Sequence, residues 1–423
     1  MDARNLKVDG QRLWATVMET AAIGGTRKGG ICRLALSDDD RAIRDWFRAS
    51  AEAAGCSVSI DTMGNMFARR AGRNAAQPAI AIGSHLDTQP TGGKFDGVIG
   101  VLAGLEVLRI LHESNYETHA PIEVVNWTNE EGSRFAPAML ASGVFAGALS
   151  LDYAYSRTDR AGQSFGDELL RIGYRGETPC GGRSLAAHFE LHIEQGPILE
   201  AEQRRIGIVT GVQGMRWYEV TVTGAESHAG STPMHLRRDA LLVAARLIDG
   251  IETIATSRSD AVATVGLVEC TPNSRNVVPG SVFFSVDLRH PQDEMVAAME
   301  AGLLALIERA RAGTCAIVCE RVWDSPAVHF DAGCIGAVRR ATESLGVTSR
   351  EMVSGAGHDS AYIARVAPTT MIFIPCAGGL SHNEAESIEQ PDLTLGAEVL
   401  LRAVLDTDQR LAERDPSTNR PAH

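Results

Sequence analysis

Apolar residues recur at helical spacing in "QRLWATVMETAAIGG", around Leu13, and in "DDDRAIRDWFRASAEAAG", Asp38 to Gly55. Both segments are expected to be helices. The second opens on three aspartates, which suits a helix N-terminus, and closes at Gly55. "CSVSIDTMGNMFARRAG" alternates instead and holds Gly64-Asn65 at its middle, the pattern of a hairpin. "AIAIGSH" and "APIEVVNW" are short continuous apolar runs, read as buried strands, with the helical pattern "GVIGVLAGLEVLRILHES" between them. Strand and helix alternate, which predicts an α/β domain with a mixed, largely parallel sheet.

The rhythm changes near Gly211. A strand ("MRWYEVTVTG"), a helix ("MHLRRDALLVAARLIDGIETIA"), two strands ("AVATVGLVEC" and "SVFFSVDLRH"), a helix ("QDEMVAAMEAGLLALIERARAG") and a strand ("CAIVCERV") follow. This β-α-β-β-α-β order is the ferredoxin-like split arrangement. It closes on itself, so residues 213–328 read as an inserted domain, with 1–212 and 329–423 forming the other. The helix "DAGCIGAVRRATESLG", the strand "APTTMIFIPC" and the helix "LTLGAEVLLRAVL" would complete that first domain. The polar tail "ERDPSTNRPAH" is expected to be disordered.

Composition narrows the function classes. The chain has 423 residues, long for one core, with 44% hydrophobic and 22% charged residues. A formal charge of -13 without a Lys/Arg cluster disfavours nucleic acid and anionic membranes as partners. The start "MDARNLKVDGQRLW" lacks an apolar signal region, and no apolar run is long enough to span a bilayer. The eight cysteines are scattered with no C-x-x-C, so reduced thiols in a cytoplasmic protein are expected rather than disulfides or a thiolate zinc site.

The unusual feature is what ends the strands. In "AIAIGSHLDTQPTGGKFDG" an apolar run stops at Gly83 and gives way to His85, Asp87 and Asp96-Gly97. "NWTNEEGSRF" puts Glu130 and Glu131 after the next strand, "ELHIEQGP" carries His192, and "GGLSHNEAE" carries His382. Charges at buried strand ends are costly unless something pairs them, and ligands of open α/β sheets bind at strand ends. His85, Asp96 and His192 could hold one divalent cation, and Asp96, Glu131 and His382 a second, with Asp96 bridging. Mixed nitrogen and oxygen donors suit zinc, and manganese, cobalt or nickel could serve. Two such ions polarise a carbonyl and lower the pKa of a shared water to about 7. Asp87, two residues past His85 on an extended chain, could accept the second imidazole N–H. Glu130 is left free to move a proton. Each piece has a bland alternative. His-x-Asp can be a turn salt bridge, and Glu-Glu a solvated face. His192, with His188 and Glu190 beside it, could lie on a polar surface strand, and His382 in a plain loop.

Together "GSHLDTQPTGGKFDG", "NWTNEEGSRFAPAM", "LHIEQGP", "HAGSTPM", "RNVVPG", "SGAGHDS" and "LSHNEAE" resemble the di-zinc amidohydrolases of the aminoacylase/carboxypeptidase (peptidase M20-like) superfamily. Within it they are similar to the branch of N-carbamoyl-L-amino-acid hydrolases, β-ureidopropionases and allantoate amidohydrolases. The resemblance runs along nearly the whole chain. It implies the same five ligands and Glu130 as general base. It implies further that Gln195 holds a carbamoyl group and that His228 stabilises an oxyanion. Asn276, Arg289 and the backbone at Gly355 and Gly357 would bind a substrate carboxylate. It implies that the inserted domain is a lid that also forms a homodimer, with Gly211, Gly214 and residues 324–328 as hinges. The expected reaction is hydrolysis of an N-carbamoyl amino acid, or of N-carbamoyl-β-alanine. Allantoate amidohydrolase, dipeptidase and aminoacylase activity are the alternatives on the same scaffold.

Overall fold

A computed structural model describes residues 5–415. The chain divides into two compact units, one running up to Thr210 and resuming at His329, the other from Gly211 to Val328. The first begins with helices α1 (Gly10–Thr20) and α2 (Asp38–Ala53). Ser37 caps α2 by accepting from the Asp40 N–H, ahead of the acidic first turn. The hairpin β1 (Ser57–Ile60) and β2 (Met66–Arg70) turns through Asp61, whose carboxylate accepts from the Met63 and Asn65 N–H groups. Then come β3 (Ala79–His85), α3 (Val98–Glu113) and β4 (Ile122–Trp127). Three short helices, α4 (Leu140–Phe145), α5 (Leu151–Tyr155) and α6 (Phe165–Arg171), lead to β5 (Leu185–Ile193), a turn of helix α7 (Ile198–Ala201) and β6 (Ile206–Val212).

The second unit holds β7 (Gly214–Thr223), β8 (Ser227–His228), α8 (Ala240–Thr256), β9 (Val262–Thr264), β10 (Val268–Thr271), β11 (Val277–Val278), β12 (Ser281–His290), α9 (Asp293–Arg311) and β13 (Ala316–Ser325). Its main sheet runs β10-β12-β7-β13, every neighbouring pair antiparallel, with β9 also on β12. The segment expected as one strand near Gly266 is two, because the register on β12 slips by one residue between β9 and β10. Val282, Phe284, Val286 and Leu288 alternate inward along β12 and pack with Leu247 and Ile251 of α8 and Met299 and Leu303 of α9. On β7 and β13, Trp217 and Trp323 lie with ring centroids 6.1 Å apart and remain exposed.

Back in the first unit, β14 (Val328–His329), α10 (Ala332–Leu345), β15 (Ser349–Ser354), α11 (Asp359–Ile363), β16 (Thr369–Ile374) and α12 (Gln390–Arg414) follow. The sheet order is β1-β2-β4-β3-β5-β16-β6-β14, with β15 on β6. Its centre, β4-β3-β5-β16, is parallel. The β1–β2, β2–β4 and β16–β6 pairs are antiparallel, so the sheet is mixed with a parallel middle rather than largely parallel. Every residue of β3, β4 and β16 is buried, as expected of strands covered on both faces. The parallel centre sends the C-terminal ends of β3, β4 and β5 to one edge of the sheet, and those ends carry the acid and imidazole groups. The polar tail is partly structured: α12 continues through Glu413 and Arg414, and Asp415 pairs with His119 at 3.3 Å. The rest of that tail lies outside the described residues.

Candidate active site

His85 closes β3 and is 1% exposed. Its Nδ1 lies 2.8 Å from the Asp87 main-chain carbonyl, so Nδ1 carries the proton and Nε2 presents a lone pair. His192, on β5, is held the same way by the Ile193 carbonyl at 2.9 Å, and its Nε2 lies 3.1 Å from the Gly97 nitrogen and 3.2 Å from Asp96. Asp96 and Gly97 form the turn into α3. Gly97 has a left-handed φ of 68°, and a Cβ there would lie 2.0 Å from His85 Nε2. Only glycine supplies both that conformation and that space.

One donor atom each from His85, Asp96 and His192 lie within 4.8 Å of one another, and so do donors from Asp96, Glu131 and His382. Asp96 stands in both sets. Its two oxygens are 3.2 Å from His192 Nε2 and 3.2 Å from His382 Nε2, and His382 Nε2 is 3.6 Å from Glu131. His382 alone is half exposed. Imidazoles, carboxylates and no thiolate fit a divalent cation in each set, and in the first set both rings are buried and oriented by main-chain carbonyls. The polar surface strand is ruled out as an alternative, because His188 and Glu190 are fully buried. So is the solvated Glu-Glu face, since Glu130 is 7% exposed.

The electrostatics match that reading. Burial pushes Asp96 upward, but the imidazoles of His192 and His382 outweigh it and hold the carboxyl well below its usual range. His192 is lowered by burial yet lifted by Asp96, to about 9. Burial takes His85 down to about 4. Glu130 and Glu131 are both pushed well up, first by burial and then by the surrounding carboxylates. So many buried acids call for positive charge.

Glu130 Oε2 sits 3.5 Å from His85 Nε2. The loop that carries it is shaped by Asn129, left-handed at φ 59°, whose amide donates to the Phe135 carbonyl at 2.8 Å. The Glu130 carbonyl accepts from Met139 N–H at 2.6 Å. Asp87 differs from expectation. Its carbonyl, not its carboxylate, holds His85, because β3 ends at His85 and the extended alternation stops there. The Asp87 carboxylate instead accepts from the Glu130 and Glu131 N–H groups, both at 3.3 Å, so it fixes the loop of the two glutamates. Gln195, left-handed at φ 56°, places Nε2 3.0 Å from each Asp96 oxygen, and its Oε1 is buried without a hydrogen-bond partner. A Cβ on Gly357 would lie 3.0 Å from Met139 Cε, so the Gly355–Gly357 loop packs on the segment after Glu130.

Among the neighbours, Gln89 escaped the sequence reading, and His358 was legible only as part of the Gly355–Gly357 loop. Gln89 donates to Glu131 at 2.5 Å. Glu190, His192 and His358 form a third donor set, with His358 Nε2 3.0 Å from Ser354 Oγ. Gln89 lies four residues after His85 and His358 one residue after Gly357, but neither spacing says what the side chain meets.

Within the second unit, β8 and β11 pair His228 with Val277, and the Ala229 N–H donates to the Asn276 carbonyl at 2.9 Å. The exposed His228 ring accepts from the Gly230 and Ser231 N–H groups through Nδ1, which leaves Nε2–H as an outward donor. Arg289 lies on β12 and pairs with Asp287 at 2.7 Å, the alternative partner that its sequence neighbourhood offers.

The sequence profile of Peptidase family M20/M25/M40 matches residues 81–406, a span that contains every residue of both donor sets. The chain belongs to this family. Enzymes of the M20 family are metal-dependent, in keeping with the two donor sets. The chain is 52% identical over 408 residues to the N-carbamoyl-L-amino-acid amidohydrolase of Rhizobium meliloti, covering 95% of this chain and 97% of that protein. It is 33% identical over 404 residues to the allantoate amidohydrolase of Bacillus subtilis, covering 93% and 95%. A crystal structure of an amidase of the hydantoinase/carbamoylase family from Burkholderia multivorans matches with a TM-score of 0.94 at 56% identity, covering 95% and 98%.

Two expectations follow for this M20 chain. Gly97→Ala drives a methyl into His85, so metal affinity falls by about 10–100-fold or more. Metal content after dialysis checks it, and unchanged content contradicts the packing argument. Cation binding also requires His192 without its extra proton. Burial lowers that pKa but Asp96 lifts it to about 9, so apparent affinity rises with pH across the neutral range. Proton release on zinc uptake, measured calorimetrically in buffers of different ionisation heat, should be present at pH 7 and smaller at alkaline pH.

Proposed function

We propose that the protein is a metal-dependent amidohydrolase that cleaves the carbamoyl C–N bond of N-carbamoyl-L-amino acids. The observation that carries this reading is Asp96 shared between two donor sets, with the buried Glu130 carboxylate beside them. His85, Asp96 and His192 would hold one cation, and Asp96, Glu131 and His382 the other. When bound, zinc or a similar ion would polarise the carbamoyl carbonyl and acidify a water. Glu130 accepts the proton of the attacking water and delivers it to the departing amino nitrogen. The C–N bond breaks, the amino acid leaves, and the carbamate decays to CO2 and ammonia. Asp87 keeps Glu130 in place through its main-chain N–H.

Gln195 supports the carbamoyl specificity. Its unpaired buried Oε1 can accept from a carbamoyl NH2, a group that an acetyl amide or a dipeptide lacks. The outward Nε2–H of His228 suits an oxyanion, with Asn276 beside it. Each taken by itself, the Arg289 guanidinium and the backbone of the Gly355–Gly357 loop are groups that suit a carboxylate. The 52% identity to an N-carbamoyl-L-amino-acid amidohydrolase, against 33% to an allantoate enzyme, favours the amino-acid substrate. Eight free cysteines favour a cytoplasmic location. Among the described residues, no helix is long and apolar enough to cross a membrane.

The test is ammonia release by metal-loaded protein from N-carbamoyl-L-amino acids, N-carbamoyl-β-alanine and allantoate, with an N-acetyl amino acid and a dipeptide as controls. Release from carbamoyl amino acids is expected. Cleavage of the dipeptide or acetyl compound alone would move the protein to the peptidase or acylase side. Glu130→Gln should lower kcat by about 10²–10⁴-fold with metal content unchanged. We also propose a homodimer through the second unit, whose β13 carries the exposed Val318, Val322 and Trp323. Light scattering should give a dimer for the parent protein and a monomer for Trp323→Asp. A parent protein that runs as a monomer would remove this part of the reading.

A further inference from the structure

Glu386 follows His382 by four residues and is 6% exposed. Its Oε1 accepts the main-chain N–H of Phe95 at 3.0 Å and of Asp96 at 3.1 Å. Its Oε2 faces Ser381 Oγ at 3.1 Å, and the same hydroxyl lies 3.0 Å from Asp96 Oδ2. One Ser381 proton therefore serves both carboxylates in turn. A Cβ at Gly93 would lie 2.1 Å from Glu386 Oε1, so the bare backbone at 93 is what admits the carboxylate. These contacts tie together two loops whose residues stand 290 apart in the chain. One loop carries Asp96 and the other His382.

The two donor sets depend on this tie unequally. His85 and His192 end or lie within strands, and main-chain carbonyls beside them orient their rings. His382 sits in a loop, left-handed at φ 53° and half exposed. Its distance to Asp96 is set by how the two loops are joined. Hydrogen bonds from two N–H groups to a buried carboxylate are strong enough to do the joining.

We propose that Glu386 is a positioning residue that sets the Asp96–His382 geometry, and so governs the affinity for the cation held by Asp96, Glu131 and His382. This inference rests on the two-cation reading of the site. It does not depend on which amide the protein cleaves.

The experiment loads the full chain with zinc and dialyses it against graded free zinc set by a chelator. Zinc per chain is then counted for the parent, Glu386→Ala, Glu386→Gln and Gly93→Ala. The parent should hold two ions. In Glu386→Ala one ion should leave at about 10–100-fold higher free zinc than in the parent, while the tighter ion is retained. Gly93→Ala, which displaces the carboxylate without removing it, should show the same selective loss. Glu386→Gln keeps one acceptor oxygen for the two N–H groups and should recover part of the affinity. Two ions held with parental affinity by all variants would overturn the proposal. So would loss of both ions together with a lowered melting temperature of the metal-free protein, the mark of a purely structural role. A parent chain that holds fewer than two ions overturns both this inference and the two-cation reading. A parent that holds two ions but releases no ammonia overturns only the proposed reaction.

Discussion

A single buried carboxylate organises this protein. Asp96 faces His192 and His382 through its two oxygens and receives the Gln195 amide on both. An acid in that position, 4% exposed and ringed by further acids, is stable only with positive charge around it. The imidazoles supply part of that charge, and the donor geometry suits divalent cations for the remainder. Much of the local architecture serves this one group. Gly97 gives the turn its left-handed conformation and leaves room for His85, and Glu386 holds the Asp96 amide.

The sheet makes such a site affordable. Parallel central strands buried on both faces form a rigid platform, and their C-terminal ends converge on one edge. His85 and His192 belong to that platform and are oriented by main-chain carbonyls close in sequence. Glu130, Glu131 and His382 come from loops, and each needs a tether from elsewhere. Asp87 tethers the glutamates, Gln89 reaches Glu131, and Glu386 joins the His382 loop to Asp96. The division between strand-borne and loop-borne donors is thus a division in how much outside help each needs.

In the proposed reaction, the chemistry separates along similar lines. Glu130 has a proton-transfer task and sits where burial and neighbouring acids raise its pKa, so it is tuned by its surroundings rather than by residue type. Gln195 would contribute recognition, since an acceptor with no partner discriminates against substrates that cannot donate to it. His228 would contribute a hydrogen-bond donor on a defined ring nitrogen, set by two backbone N–H groups within its own turn.

Hydrophobic periodicity by itself determined the first hairpin, β3, β4, β16, the long strands of the second unit, the long helices and the break near Gly211, because burial of an apolar face is a local property of the pattern; it did not mark α4, α5, α6, β6 or β15. It also marked His85 and His192, since polar groups at the ends of buried strands stand out against their own neighbours, whereas Asp96, Glu131 and His382 lie in loops and stood out by residue type. It did not settle the parallel middle and antiparallel flanks of the sheet, which depend on which strands meet. It assigned Asp87 the wrong atom, because strand alternation was extended past the point where β3 ends. Glu386, Ser381 and the constraint on Gly93 were invisible to it. Their meaning lies in contacts between segments about 290 residues apart. Periodicity reports which faces are buried; only the folded chain decides which polar groups meet there, because a hydrogen bond depends on distances that sequence separation does not contain.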